Sequence, residues 1–213
     1  MNRKNRLTIT TDHPGTIYVD FLSGKLTHRR QFGGGRGQLI AKAVGLQKEK
    51  QPHVLDVTAG LGVDAFVLAT LGCHVTLLER NPIIAAALKD GLARAKKDDW
   101  FRTLRLRFVE CDAAAYLKNL KKLPDVIYMD PMYPERKKTA LAKKEMRLLR
   151  YVVGDDTDAP ELLTIALTKA KKRVVVKRPR LAATIDHRKP DLVFTGKSSR
   201  FDVYFTFAID HSK

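Results

Sequence analysis

The stretch Leu55-Asp56-Val57-Thr58-Ala59-Gly60-Leu61-Gly62-Val63-Asp64-Ala65 decides how the whole chain is read. Residues 54–57 form a short apolar strand, the glycines interrupt it, and residues 64–71 carry helical composition up to a stop at Gly72. A strand that turns through glycine into a helix lets backbone approach a ligand closely, because no side chain intervenes. Outward from this turn, residues 74–78 are the next strand, ended by Glu79. Asn81 then caps a helix with Pro82 at its first position and Ile84, Leu88, Leu92 and Ala95 on one face. Residues 104–109 and 125–129 are the third and fourth strands, with a helix over 113–119 between them. Helical composition over 138–153 and 159–171, divided at Gly154, leads into a β-branched fifth strand at 173–177. Alternation at this rate predicts crossover units on a parallel sheet. The end differs, since residues 191–195 and 201–207 flank Gly196-Lys197-Ser198-Ser199 as a hairpin. The expected class is α/β, a doubly wound and mostly parallel sheet with an antiparallel C-terminal strand.

The front of the chain stands apart. Residues 7–10 and 16–21 alternate like two strands around Asp12-His13-Pro14-Gly15, and His28-Arg29-Arg30-Gln31-Phe32-Gly33-Gly34-Gly35-Arg36-Gly37 reads as a flexible basic loop. The expected organisation is a small β extension with this loop over 1–37 and one main domain over 38–213, opening with a helix near 38–44. A chain of 213 residues, 44% hydrophobic, can bury a single sizeable core.

Charge points to a partner. The 40 Lys and Arg against 23 Asp and Glu leave +17, more than solubility requires, so a polyanion such as nucleic acid is expected. The charge is clustered: residues 135–150 hold seven basic and two acidic residues, and residues 169–180 hold seven and none. Cys73 and Cys111 lie in apolar stretches without metal or disulfide spacing, so they read as core thiols in a reducing compartment, and no metal is expected. The start is polar, and no run reaches the roughly 18 apolar residues of a membrane span. A cytoplasmic protein without membrane contact is the expectation.

Electrostatics bears on the ligand of the glycine turn. Gly60, Gly62 and Ala65 also satisfy the dinucleotide pattern, and Glu79 stands where a carboxylate accepts from ribose hydroxyls. A dinucleotide would place a pyrophosphate beside Asp56, which repels it, whereas S-adenosylmethionine brings an ammonium and a sulfonium that Asp56 attracts. Asp56 can equally be satisfied by amides of the turn. Asp112 can accept from an adenine amino group, cap the following helix, or do both.

Asp130-Pro131-Met132-Tyr133-Pro134 follows the fourth strand at the sheet edge where open α/β folds bind ligands. It resembles the Asp-Pro-Pro-Tyr motif of methyltransferases acting on amino groups of bases. An exocyclic amine conjugated with its ring is a poor nucleophile and must be held with its lone pair aimed at the methyl carbon. The Asp130 carboxylate and Pro131 carbonyl can each accept one amine hydrogen, and Tyr133 can stack on the extruded base. A tight proline turn with an aromatic core residue is the alternative. The order of glycine turn, Glu79, Asp112 and Asp130 on consecutive strands favours the catalytic reading.

The chain resembles the RsmJ-type small-subunit ribosomal RNA guanine-N2 methyltransferases over most of its length. The resemblance rests on Asp20-Phe21, the loop of residues 28–37, the glycine turn, Leu78-Glu79-Arg80-Asn81-Pro82, the loop of residues 130–134, Lys143-Lys144-Glu145-Met146-Arg147, Val174-Val175-Val176-Lys177-Arg178-Pro179 and Arg200-Phe201-Asp202-Val203-Tyr204. It implies a Rossmann-like class I methyltransferase fold and methylation of a guanosine exocyclic amine in 16S ribosomal RNA, free or in the small ribosomal subunit. It also implies S-adenosyl-L-methionine against Val63 and Asp64, Glu79 and Arg80, Asp112 and Ala113, and Asp130. The pattern departs at Val63, where relatives often carry Arg; a backbone contact survives that change and a side-chain contact does not. Expected RNA contacts are Arg29, Arg30, Arg36, Lys143, Lys144, Arg147, Lys177 and Arg178. The readings left open beside this one are an adenine-N6 methyltransferase, an NAD(P)-dependent reductase and a noncatalytic RNA-binding protein.

Overall fold

The computed structural model describes residues 6–12, 15–23, 26, 34–48, 50–132 and 144–206, the last range without the side chains of 144–147. Strands β1 (His53–Asp56), β2 (His74–Glu79), β3 (Leu106–Glu110), β4 (Val126–Met129) and β5 (Arg173–Pro179) are followed by β6 (Leu192–Thr195) and β7 (Ser199–Phe205). They form one seven-stranded sheet in the order β3-β2-β1-β4-β5-β7-β6. The first five strands pair in parallel, and β7 lies antiparallel between β5 and β6. The mostly parallel, doubly wound sheet with an antiparallel end is the architecture expected from the alternation of signals. The strand order reverses between β1 and β4, which pair Asp56 with Tyr128, and a crevice opens beyond their carboxyl ends at such a point.

Period-two alternation divides the core into two layers. Val54, Val126, Tyr128, Val175 and Val203 face one side, packed with Phe66, Leu88 and Leu92. Leu55, Val57, Ile127, Met129, Val174 and Val176 face the other, packed with Leu117, Leu162, Leu163 and Ala166. The helices that supply these partners are α2 (Val63–Thr70) and α3 (Pro82–Ala95) on the first side, α5 (Ala113–Lys118) and α7 (Ala159–Lys169) on the second. Between them run α1 (Leu39–Ala43), the short α4 (Asp99–Arg102) and α6 (Lys144–Val153). Asn81 caps α3 as its sequence predicts: its side chain accepts from Ile83 N–H at 3.0 Å and Ile84 N–H at 3.2 Å, with Ile84, Leu88, Leu92 and Ala95 buried.

The N-terminal segment departs from expectation. In place of two strands there is a single antiparallel bridge, Ile9 to Ile17, with N–H···O distances of 2.8 and 3.0 Å. Ile17, Val19 and Phe21 are buried instead, and the Phe21 ring lies 5.2 Å from that of Phe66, tilted by 35°. Apolar side chains that can reach the main core gain more there than a two-strand ribbon gives, since such a ribbon is marginal alone. Val19 lies so close to α3 that a Cβ built on Gly91 would meet its Cγ1 at 2.4 Å and its Cβ at 2.6 Å. Gly91→Ala is therefore expected to destabilise. Alanine favours a helix interior by up to ~1 kcal/mol, but forcing a methyl into a filled contact costs about 1–3 kcal/mol. A thermal melt should fall by about 2–6 °C; a rise would mean the segment gives way freely.

Candidate active site

The glycine turn is built for two different approaches. Gly60 has φ 52° and Gly62 has φ 72°, both in the left-handed region. A Cβ on Gly62 would lie 2.9 Å from Leu88 Cδ1 and 3.2 Å from Phe21 Cζ, so this glycine lets α3 and the N-terminal segment close on the turn. A Cβ on Gly60 would meet nothing within 4 Å, and Gly60 lines a cleft at this edge of the sheet. Gly60 is thus the open side of the turn, where a ligand can lie against backbone.

The cleft runs over the carboxyl ends of β1, β2 and β4 and is walled by Val57, Thr58, Leu78, Glu79, Arg80, Asp112, Ala113, Asp130 and Pro131, with Leu149 and Val153 of α6 and Leu162 of α7. Glu79 holds two amides at once: Gly60 N–H donates to its Oε2 at 2.8 Å and Asn81 N–H to its Oε1 at 2.8 Å. Burial raises its pKa above the ordinary glutamate value, and these two amides pull it back. Asp112 caps α5 by accepting from Ala115 N–H at 2.8 Å, and its side chain is still about half exposed at 49%. Capping leaves it free to accept from a ligand as well.

Asp130 is tied to the turn, because its N–H donates to Thr58 Oγ1 at 2.6 Å. Its side chain keeps 40% of its surface open, and Lys177 Nζ donates to its Oδ2 at 2.7 Å. The same ammonium donates to Asp64 Oδ2 at 2.7 Å, which also accepts from the Tyr128 hydroxyl at 2.7 Å. Burial raises the Asp130 pKa and Lys177 opposes it, while Asp64 adds to the rise. Burial disfavours the Lys177 ammonium, but Asp130 and Asp64 outweigh it, so its pKa lies above the ordinary lysine value.

Of the residues expected around the cofactor, Gly60, Glu79, Arg80, Asp112, Ala113 and Asp130 converge on this cleft. Gly62, Val63 and Asp64 lie outside its lining, with Val63 at the exposed start of α2. Asp56 is 2% exposed, and its Oδ1 accepts from Thr58 N–H at 3.1 Å, so it braces the turn from behind. Burial pushes its pKa well above the carboxylate range. Pro131 lines the cleft, and Tyr133 falls outside the described residues.

The basic set divides in the same way. Arg29, Arg30 and Lys143 lie outside the described residues, as do the side chains of Lys144 and Arg147. Arg36 is exposed on a short 3-10 turn, Gly35–Gly37, and donates to Lys50 O at 3.4 Å. Lys177 spends its ammonium on two carboxylates, and Arg178 is 4% exposed with a guanidinium that donates to Ala183 O. Both cations are thus engaged within the protein, with the Lys177 side chain 28% exposed.

Sequence reasoning missed Thr58 and two acids of the segment after Gly154. Asp156 Oδ2 accepts from Met132 N–H at 2.7 Å, and Asp156 N–H donates to Met132 O at 3.1 Å, a two-sided clamp on the loop after β4. Arg80 in turn donates to Asp156 Oδ1 at 2.6 Å and to Asp158. The signal was present as Asp155-Asp156-Thr157-Asp158, an acidic run in a strongly basic chain.

Residues 1–206 match the family model described as "Putative SAM-dependent methyltransferase". The chain belongs to this family. It is 62% identical to "Ribosomal RNA small subunit methyltransferase J" of Coxiella burnetii over 91% of this chain and 76% of that one. It is 55% identical to the protein of the same name from Pseudomonas paraeruginosa, over 93% and 77%. A solved SAM-dependent methyltransferase from Neisseria gonorrhoeae superposes with a TM-score of 0.73 at 41% identity, covering 93% of this chain and 78% of that one. The cofactor of this family member is S-adenosyl-L-methionine. The cleft fits it: open space at Gly60, carboxylate acceptors at Glu79 and Asp112 for hydroxyl and amino donors, and the apolar surfaces of Leu78, Ala113 and Leu162 for a base.

Proposed function

We propose that this methyltransferase modifies the exocyclic N2 amine of a guanosine in small-subunit (16S) ribosomal RNA, working in the cytoplasm on free RNA or the small subunit. The observation that carries the reading is the placement of Asp130. It ends β4 with its carboxylate open to the cleft, roped to the glycine turn through Thr58. The printed name of the relatives, small-subunit ribosomal RNA methyltransferase, supports the choice of RNA.

S-adenosylmethionine, when bound, supplies an electrophilic methyl group on a sulfonium. The residues of the chain do the rest. Glu79, Arg80, Asp112 and Ala113 wall the cofactor cleft. Asp130 and the Pro131 carbonyl accept the two amine hydrogens, which turns the nitrogen lone pair toward the methyl carbon. Tyr133 stacks on the extruded base. As the methyl–sulfur bond breaks, leaving its electron pair on sulfur as a neutral thioether, and the carbon–nitrogen bond forms, positive charge would grow on the amine; the Asp130 carboxylate stabilises it until a proton departs.

Mass spectrometry of nucleosides from treated RNA tests the assignment: N2-methylguanosine is the expected product, and N6-methyladenosine would overturn it. The net charge of +17 predicts a charge-driven encounter. With about six phosphates contacted, RNA affinity should fall with salt at a log–log slope near −4 to −5, readable by filter binding between about 50 and 200 mM salt. A flat response would remove the basic surface from recognition.

A further inference from the structure

The register of the sheet places β5 so that Val176 pairs with Met129 of β4, which puts Lys177 beside Asp130. Alternation then turns Lys177 to the side of the sheet shared by Val175, Tyr128 and α2, away from solvent phosphate. There its ammonium meets two carboxylates and keeps only 28% of its side-chain surface. We propose that Lys177 is a positioning residue for methyl transfer: by bridging Asp64 and Oδ2 of Asp130, it holds the Asp130 carboxylate with its other oxygen turned to the cleft as acceptor for the target amine. This deepens the proposed function and rests on it for the identity of that amine.

Three features support the role. Lys177 is held from both sides, since Asp64 is itself fixed by the Tyr128 hydroxyl at 2.7 Å. Among the described residues, no donor meets the second oxygen of Asp130, while the side chain remains 40% exposed. The charge balance also requires a cation. The titratable groups that bear on Asp130 are Asp56 from β1, Asp64 from α2, Tyr128 from β4, Asp156 from the segment after α6, and Lys177 from β5. Asp56, Asp64 and Asp156 disfavour a further negative charge there, and Lys177 favours it. Only an ionised carboxylate accepts an amine hydrogen with both of its oxygens available, so a proton captured by Asp130 would silence it. Lys177 keeps that proton away.

The test is the pH profile of methyl transfer in Lys177→Met and Lys177→Arg. Without the cation the Asp130 carboxylate holds its proton to higher pH, so the acid limb of kcat/KM should move up by about one unit or more. The loss of activity should then be confined to the acid side of the profile and recover as pH rises. Lys177→Arg should restore most of the wild-type profile. Asp64→Asn removes a like charge while keeping an acceptor for Tyr128, and it should move the acid limb down; it serves if Lys177→Met does not fold. The salt slope of RNA binding should be the same in wild type and Lys177→Met. An unshifted acid limb, together with a slope shallower by about 0.7–0.9, would overturn the proposal and make Lys177 a phosphate contact. Carboxylate NMR of 13C-labelled aspartate reads the Asp130 titration without any substrate. A wild type that methylates no ribosomal RNA would therefore remove the proposed substrate, while the titration still decides the role of Lys177.

Discussion

Asp130→Ala is expected to lower the rate of methyl transfer by about 10³-fold while leaving S-adenosylmethionine binding measurable. The side chain touches the cofactor cleft at one point only, whereas Gly60, Glu79, Asp112 and the apolar wall remain. What disappears is the acceptor that orients the amine and meets its growing charge, a group worth roughly 10²–10⁴ in rate. Single-turnover transfer measured beside calorimetry of the cofactor separates the two terms. Asp130→Asn should recover little, because its amide NH2 must face either the Lys177 ammonium or the substrate amine, donor against donor. Full activity in either variant would take Asp130 out of the mechanism.

Glu79→Gln is expected to weaken cofactor binding by about 10–100-fold, although it preserves size and shape. Both carboxylate oxygens accept from backbone amides, Gly60 N–H on one side and Asn81 N–H on the other. A glutamine has one acceptor for two donors, so its NH2 is forced against an amide hydrogen whichever way it is turned. The loss of a charge-assisted hydrogen bond is worth about 1.5–3 kcal/mol, and it falls on the amide that shapes the open side of the turn. Calorimetry gives the affinity, and a thermal melt reports any loss of stability. Affinity unchanged from wild type would show that the turn keeps its shape without this carboxylate.

Much of the fold was legible because its signals are local. The strand–glycine–helix transition at residues 54–71, the Asn81-Pro82 cap and the β-branched run at 173–177 each fix an element without reference to the rest. The N-terminal pair misled for the opposite reason. Alternation at residues 16–21 shows that one face is apolar, but not whether a partner strand or the main core covers it, and Ile17, Val19 and Phe21 choose the core. In the site, spacing along the chain found the carboxylates at the strand ends, but not what each one does. Val57 and Leu78 belong to the layer beneath the cleft, whereas Asp56 and Lys177 point to the opposite side and meet Thr58 N–H and Asp64. Counting in twos does not separate these roles, since Asp56, Glu79 and Asp130 continue the same side of the sheet as Val54, Leu77 and Tyr128. The clamp by Asp156 was beyond reach, since it joins residues 24 positions apart that no local period connects.

That clamp has a thermodynamic consequence. Arg80 directly follows Glu79, and through Asp156 it grips the backbone of Met132, two residues after Asp130. On the proposed function, the walls for donor and acceptor are joined by one chain of hydrogen bonds. Whatever factor the donor applies to RNA affinity, RNA must return to the donor, because the free energy around the four-state cycle is the same by either route.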